Sequence, residues 1–298
     1  MAKSPYTVGV IGHTGRGNYG HGLDTVWAEV ANTKVIAVAD ADPTGLAKSE
    51  QRLAGAHGFA DYHKLLSEMR PQLVSIAPRW PDQHHDMVIA ACESGVKGVY
   101  LEKPMCRTLR EADAIVAACE KHQVKLAIAF QTRYSPIVQM INDMIDEGQL
   151  GDVLELRGHG KEDARGGGED LWVLGSHVMN LMHFFGGEPT WCSARMYQDR
   201  QLVGKEHVAP GNEGLGPLAA NRLSAMYGLH SGATGYFRSQ KNTGSTPARF
   251  GLSIHGTEGI INMTFGYLPD AHWLPDPTWS PGKSGKAWIP ITSRGPGK

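Results

Sequence analysis

Cysteine is scarce in this sequence. The 298 residues contain four, Cys92, Cys106, Cys119 and Cys192, and no C-x-x-C pair. This argues against a disulfide scaffold and fits reduced, mostly buried thiols in a cytosolic chain. Neither sign of charge dominates: 29 Lys and Arg face 30 Asp and Glu, for a net charge of −1. No Lys/Arg cluster stands out, so nothing attracts the chain to nucleic acid or anionic lipid. No apolar stretch nears the roughly 20 residues of a membrane span. The first residues lead straight into an apolar strand, with no signal-peptide pattern. The expectation is a soluble, cytoplasmic protein without nucleic-acid or membrane partners. Glycine and proline, 37 and 17 residues, are too few for low complexity.

The length suggests about two domains and suffices for a buried core without a disulfide or metal staple. Over the first 130 residues, apolar strand signals at 7–11, 34–39, 73–77, 98–102 and 126–130 alternate with helical patterns at 23–31, 43–56, 62–69, 84–94 and 108–122. Such alternation predicts a doubly wound parallel sheet covered on both faces. Beyond residue 130 the pattern changes. Helices are expected at 136–147 and 172–185, and strands at 153–159, 191–197, 223–229, 233–239, 249–255 and 259–265. This reads as an α+β domain with a largely antiparallel open sheet. The fold class is therefore α/β in two parts, residues 1–130 and 131–267, followed by a Pro-rich arm at 268–298. That arm is either packed by Trp273, Trp279 and Trp288 or partly disordered.

The first strand runs into Gly12-His13-Thr14-Gly15-Arg16-Gly17. The dinucleotide fingerprint G-x-G-x-x-G fits this register with Thr14 at the middle glycine and Gly15 displaced by one. Gly12 can make the tight turn, and Gly17 can let a helix pack close. Backbone N–H groups at that helix N-terminus would take the diphosphate. The second strand ends at Asp40, where an acid accepts hydrogen bonds from a ribose diol. Asp40 and Asp42 would repel a 2′-phosphate, and no arginine adjoins Asp40. These residues predict NAD rather than NADP.

The fifth strand ends in Glu102-Lys103-Pro104. Lys103 then points into the crevice at the carboxyl ends of parallel strands, held extended by Pro104. Further on lies Gly175-Ser176-His177, and between them the run Phe130-Gln131-Thr132-Arg133-Tyr134-Ser135-Pro136; Gly256-Thr257-Glu258-Gly259 follows. In this order the segments resemble the Gfo/Idh/MocA oxidoreductases, the family of glucose–fructose oxidoreductase and inositol dehydrogenase. The resemblance covers roughly residues 6–265. It implies a Rossmann domain, a second domain whose open sheet often forms a homo-oligomer interface (dimer or tetramer), a nicotinamide cofactor, and a sugar, cyclitol or polyol substrate. It places Lys103 and His177 at the reacting centre. Gly12, Thr14, Gly15, Arg16, Gly17, Asp40, Pro78, Glu102, Lys103 and Gln131 would meet NAD. Arg133, Asp170, Trp172 and Asn180 would meet substrate. No metal is expected.

The chain departs from the family where aspartates usually stand four residues before and three after His177. Here these are Val173 and Asn180. On one continuous helix both would share a face with the histidine. Asp170 either takes the missing carboxylate's place or caps the helix. Asn180 can hydrogen-bond a hydroxyl but holds no charge. Trp172 is either a sugar-stacking wall or core. The run 165–170, with three glycines, is either a mobile loop entering the site or a linker. His84-His85-Asp86 reads as a solvated or capping group, with a metal site as the alternative. Three functions compete: a dissociable NAD-dependent dehydrogenase, a redox-neutral sugar-modifying enzyme retaining NAD, and a non-catalytic binding module.

Overall fold

The computed structural model describes residues 4–244, 248–278 and 283–298, so Trp279 lies outside the described residues. The chain divides into two units, the first joining Met1–Ala129 with Pro210–Gly216. Its strands are β1 (Tyr6–Ile11), β2 (Thr33–Ala39), β3 (His57–Phe59), β4 (Leu73–Ile76), β5 (Gly98–Leu101) and β6 (Lys125–Ile128). They lie in the order β3-β2-β1-β4-β5-β6, all parallel. Val8, Val10, Val38, Val74 and Ile76 are wholly buried, as strands covered on both faces require. Strand order reverses between β1 and β4, which opens a crevice at their carboxyl ends. Strand β3 escapes the sequence pattern because it has only three residues, one a glycine.

The connecting helices are α1 (Pro43–Arg52), α2 (Tyr62–Met69), α3 (His84–Glu93) and α4 (Leu109–His122). The starts of α1 and α4 follow from capping: Asp42 accepts the Gly45 N–H at 2.6 Å, and Thr108 accepts that of Glu111 at 3.1 Å. One expectation fails. Residues 23–31 are not an α-helix; they hold only a 3-10 turn, Val26–Ala28. Gly20 donates its N–H to the Ala77 carbonyl at 2.6 Å, and the Glu102 carboxylate fills the place of its missing Cβ. The chain is thereby pinned to strand ends where a helix would otherwise begin. The ring of Tyr19 packs there instead, against the place of a Cβ on Gly12.

The second unit comprises Phe130–Ala209 and Pro217–Lys298. It carries α5 (Pro136–Asp146), β7 (Val153–His159), α6 (Gly168–Val173), α7 (Gly175–Gly186), β8 (Pro189–Gln198) and β9 (Gln201–Leu202). Two-residue strands β10 (Ala209–Pro210) and β11 (Pro217–Leu218) pair only with each other. Then come β12 (Arg222–Leu229), β13 (Thr234–Gln240), β14 (Gly251–Gly256), β15 (Ile260–Thr264), β16 (Asp270–Leu274), β17 (Ile289–Thr292) and β18 (Gly295–Pro296). The sheet order is β18-β17-β16-β15-β14-β7-β13-β12-β8-β9. Among the described residues of this sheet, only β7 and β13 pair in parallel.

One face of this sheet is covered. Val138, Ile141 and Met144 of α5 and Val178, Leu181 and Met182 of α7 join a core with Leu156, Phe237, Ile254 and Ile261. A side chain at Gly158 would meet Val178 and Met182, so glycine lets α7 close on β7. Strand β8 is exposed along most of its length, with Trp191 47% exposed. The tail at 268–298 supplies β16 to β18, so its described part extends the sheet; Trp273 packs on the core while Trp288 stays exposed.

The helix expected over 172–185 is two helices, broken at Leu174. The three glycines before it are also not a mobile loop. Side chains at Gly166, Gly167 and Gly168 would strike the backbone of Lys241, Ala220 and Ala219. They are glycine because main chain passes main chain there.

Candidate active site

In the first unit, residues 13–18 close on themselves. His13 and Asn18 form a bridge, Arg16 N–H reaches the His13 carbonyl at 3.0 Å, and Gly15 N–H reaches Asn18 Oδ1 at 2.9 Å. The expected helix N-terminus is absent, so the diphosphate cradle inferred for it is corrected to a loop. Gly17 has φ of +88°, and a Cβ there would stand 2.5 Å from the Trp80 nitrogen. Arg79 N–H and Nε both donate to the Gly17 carbonyl, at 3.4 and 3.2 Å. Gly17 therefore packs on the turn after Pro78 rather than under a helix. Arg16 folds over Trp80 at 5.5 Å and pairs with Asp82.

Asp40 is 1% exposed at the end of β2. Its Oδ1 accepts the N–H groups of Thr14 and Asp42, each at 3.0 Å, and its Oδ2 accepts the Thr14 hydroxyl at 2.7 Å. A cavity of about 220 Å³ adjoins it, lined by Gly12, Asp40, Ala60, Asp61, Tyr62 and Met87 among others. This largely apolar, acid-edged hollow at the carboxyl ends of β1 and β2 fits an adenosine with a free ribose diol. Asp61 adds a third acidic residue near Asp40 and Asp42, against a 2′-phosphate. Its signal in sequence, Asp61-Tyr62 after β3, was hidden by the missed strand.

Lys103 is buried, 4% exposed, and stands two residues beyond the end of β5. Glu102 before it is wholly buried. Its carboxylate accepts the Lys103 N–H at 3.1 Å and meets Nδ1 of His21 at 3.1 Å. The Lys103–Pro104 peptide is cis. His84 is also wholly buried, contrary to the solvated or capping role expected of it. Its Nδ1 lies 2.9 Å from the Pro104 carbonyl and its Nε2 lies 2.7 Å from that of Pro78. Burial pushes its pKa below the usual histidine range, against the two carbonyls that favour the cation. His84 thus ties together the two turns that sequence reading assigned to the cofactor. His85 instead pairs with Asp86 at 2.8 Å.

In the second unit, His177 is the third residue of α7 and 8% exposed. The Phe130 ring meets it edge-on at 5.7 Å. Ser176 and Asn180 stand one turn apart on the same helix. Ser176 Oγ and Asn180 Oδ1 are both buried without a hydrogen-bond partner among the described residues. Ser176 escaped the sequence reading, though its place beside His177 was a signal. Val173 ends α6, so it shares no helix with His177, and the wheel argument linking them falls.

Asp170 is wholly buried in the first turn of α6. Its Oδ2 accepts the Ser239 hydroxyl at 2.5 Å and the Glu162 N–H at 3.2 Å, and Ser239 Oγ accepts the Gly167 N–H at 2.9 Å. Burial pushes its pKa up, as it does that of Glu162, which pairs with Arg249. Asp170 is neither the N-cap, which is Gly167, nor placed by one continuous helix beside His177. Arg133 stacks on Phe184 at 4.6 Å, Trp172 is half-buried, and Gln131 is exposed in a 3-10 turn.

Comparison with known proteins decides the family. Residues 6–130 match the model of the oxidoreductase family, NAD-binding Rossmann fold, and residues 138–262 match the GFO/IDH/MocA C-terminal domain. The chain belongs to the GFO/IDH/MocA family. Its first unit is that family's NAD-binding Rossmann domain. It is 26% identical over 253 residues to levoglucosan dehydrogenase of Pseudarthrobacter phenanthrenivorans, covering 76% of this chain and 64% of the relative. It is 26% identical over 259 residues to D-apiose dehydrogenase of Paraburkholderia graminis, covering 83% and 65%. The chain thus spans just under two thirds of the length of these curated relatives. The solved structure of levoglucosan dehydrogenase with NADH and levoglucosan superposes with a TM-score of 0.76 at 21% identity, covering 96% of this chain and 80% of that one. An NAD-binding oxidoreductase from Klebsiella pneumoniae gives 0.74 at 19% identity, covering 96% and 79%. These likenesses support the GFO/IDH/MocA fold. No helix among the described residues is long and apolar enough to cross a membrane.

Proposed function

We propose that this chain is an NAD-dependent dehydrogenase that oxidises a secondary hydroxyl of a sugar, cyclitol or related polyol. The observation that carries the substrate class is the α7 trio. His177 lies on the same helix as Ser176 and Asn180, whose side-chain oxygens are buried and unpartnered among the described residues. Buried polar atoms are normally satisfied, so these two fit a ligand rich in hydroxyls. Curated relatives that oxidise levoglucosan and D-apiose support the same class.

Oxidising a carbinol removes a hydride from carbon and a proton from oxygen. NAD, when bound, supplies the hydride acceptor. The proton falls to His177, whose ordinary pKa near 6.5 suits a base at neutral pH. Lys103, whose buried side chain lies just beyond β5, holds the hydroxyl oxygen and stabilises the charge it develops. Asn180 and Ser176 orient neighbouring hydroxyls, with Arg133 and Trp172 shaping the substrate side. Asp40 holds the adenosine ribose, and Gly12, Gly15, Gly17 and Pro78 shape the path of the cofactor beside it.

The exposure of β8 on both faces, with Trp191 on one and Met196 on the other, supports a homo-oligomer built on this end of the sheet. Light scattering at working concentration would read a dimer or tetramer. The test of the activity is NAD binding by calorimetry together with turnover on sugars and cyclitols. Turnover on one class with release of reduced cofactor supports the reading. Tightly retained NAD without net turnover would favour a redox-neutral enzyme instead.

A further inference from the structure

We propose that the Thr14 hydroxyl is a positioning group that withholds one oxygen of Asp40 from the ribose and so keeps the hold on NAD weak. The inference rests on the assignment of Asp40 to the adenosine ribose. A carboxylate offers about four acceptor positions. Oδ1 of Asp40 is filled by two backbone donors, Thr14 N–H and Asp42 N–H, that no side-chain rotation can withdraw. On Oδ2 the Thr14 hydroxyl takes a second position at 2.7 Å, and Thr14 N–H leans on the same oxygen at 3.2 Å. At most one acceptor position remains for a diol that brings two hydroxyls.

The clamp has its own space. A Cβ on Gly45, in the first turn of α1, would overlap Thr14 Oγ1 and lie 2.8 Å from Asp40 Oδ2. Glycine at 45 is what leaves room for the hydroxyl. The fingerprint's glycine at position 14 would donate the same backbone N–H but bring no hydroxyl to Oδ2. Threonine therefore adds one charge-assisted bond inside the protein at the expense of one to the ligand. A cofactor held by one ribose hydroxyl leaves more readily than one held by two.

The test is calorimetric titration of NAD, and of NAD lacking the adenosine 2′- or the 3′-hydroxyl, into the wild type, Thr14→Val, Thr14→Ser and Asp40→Ala. Valine keeps the shape and removes the donor, so Thr14→Val should bind NAD about tenfold tighter, the worth of one bond to a charged group. Thr14→Ser should bind like the wild type. On the wild type only one of the two deoxy analogues should lose about tenfold against NAD, whereas on Thr14→Val both should. Equal or weaker NAD binding by Thr14→Val, with Asp40→Ala weakened, would overturn the inference and leave the cofactor reading standing. Asp40→Ala binding NAD as tightly as the wild type would overturn both.

Discussion

Nδ1 of His84 lies 2.9 Å from the carbonyl of Pro104, and its other ring nitrogen faces Pro78. One buried imidazole thus fastens the turn that carries Lys103 to the end of the neighbouring strand. A neutral imidazole carries one N–H, so His84→Leu leaves one buried carbonyl without its donor, at about 1–3 kcal/mol, and removes the packing of the ring. The variant should melt several degrees lower and lose kcat, with a higher KM for NAD because the Pro78 turn is also released. His84→Gln, which keeps one donor, should recover part of both. An unchanged kcat with a lowered Tm would make His84 structural only.

Gly17 carries φ of +88° with the Trp80 nitrogen 2.5 Å from where a Cβ would stand. Gly17→Ala must therefore push the 79–80 turn aside. NAD should bind about tenfold weaker or worse by calorimetry, because strain and displacement act together. Affinity equal to the wild type would show that this turn does not face the cofactor.

Lys103→Ala should leave the NAD dissociation constant within about twofold and lower kcat by about three orders of magnitude, the scale of losing a group placed at the reacting oxygen. Steady-state rates with calorimetry separate the two. A rate near that of the wild type would remove Lys103 from the chemistry.

Asp170 supplies a pH test. Its buried carboxyl has a raised pKa, so the folded state holds the proton more tightly than the unfolded chain. Its stabilising contribution is full below the unfolded pKa, near 3.9, and is lost as pH rises through the raised folded value. Asp170→Asn has no such titration. The melting temperature of the wild type relative to Asp170→Asn should therefore fall as pH rises from about 4 to about 7. A rise over that window would mean that the ionised carboxylate is the stabilised form.

Where one strand or one turn sets a residue's place, the sequence was readable. Asp40 ends β2 and Lys103 follows β5, so strand period and parallel topology placed both. The loop between β1 and β2 was harder. Gly20 and Gly22 extend its glycines beyond the fingerprint, and Gly20 packs on Glu102 from a distant strand, a contact that local pattern does not carry. The glycines at 166–168 look like freedom in sequence, yet each is fixed by backbone from distant segments. Periodicity carried the 172–185 helix through Leu174, although Gly175 was a signal for the break. His84 was read as solvent-facing because its two partners are backbone carbonyls, which leave no trace in side-chain pattern.

The most direct test of the central claim is the absorbance of reduced nicotinamide, followed after adding NAD to the purified protein across sugars, glycosides, cyclitols and sugar acids. The account predicts a steady rise with one substrate class, lost in both Lys103→Ala and His177→Ala. A flat trace across the whole panel, from protein that binds NAD, would contradict it.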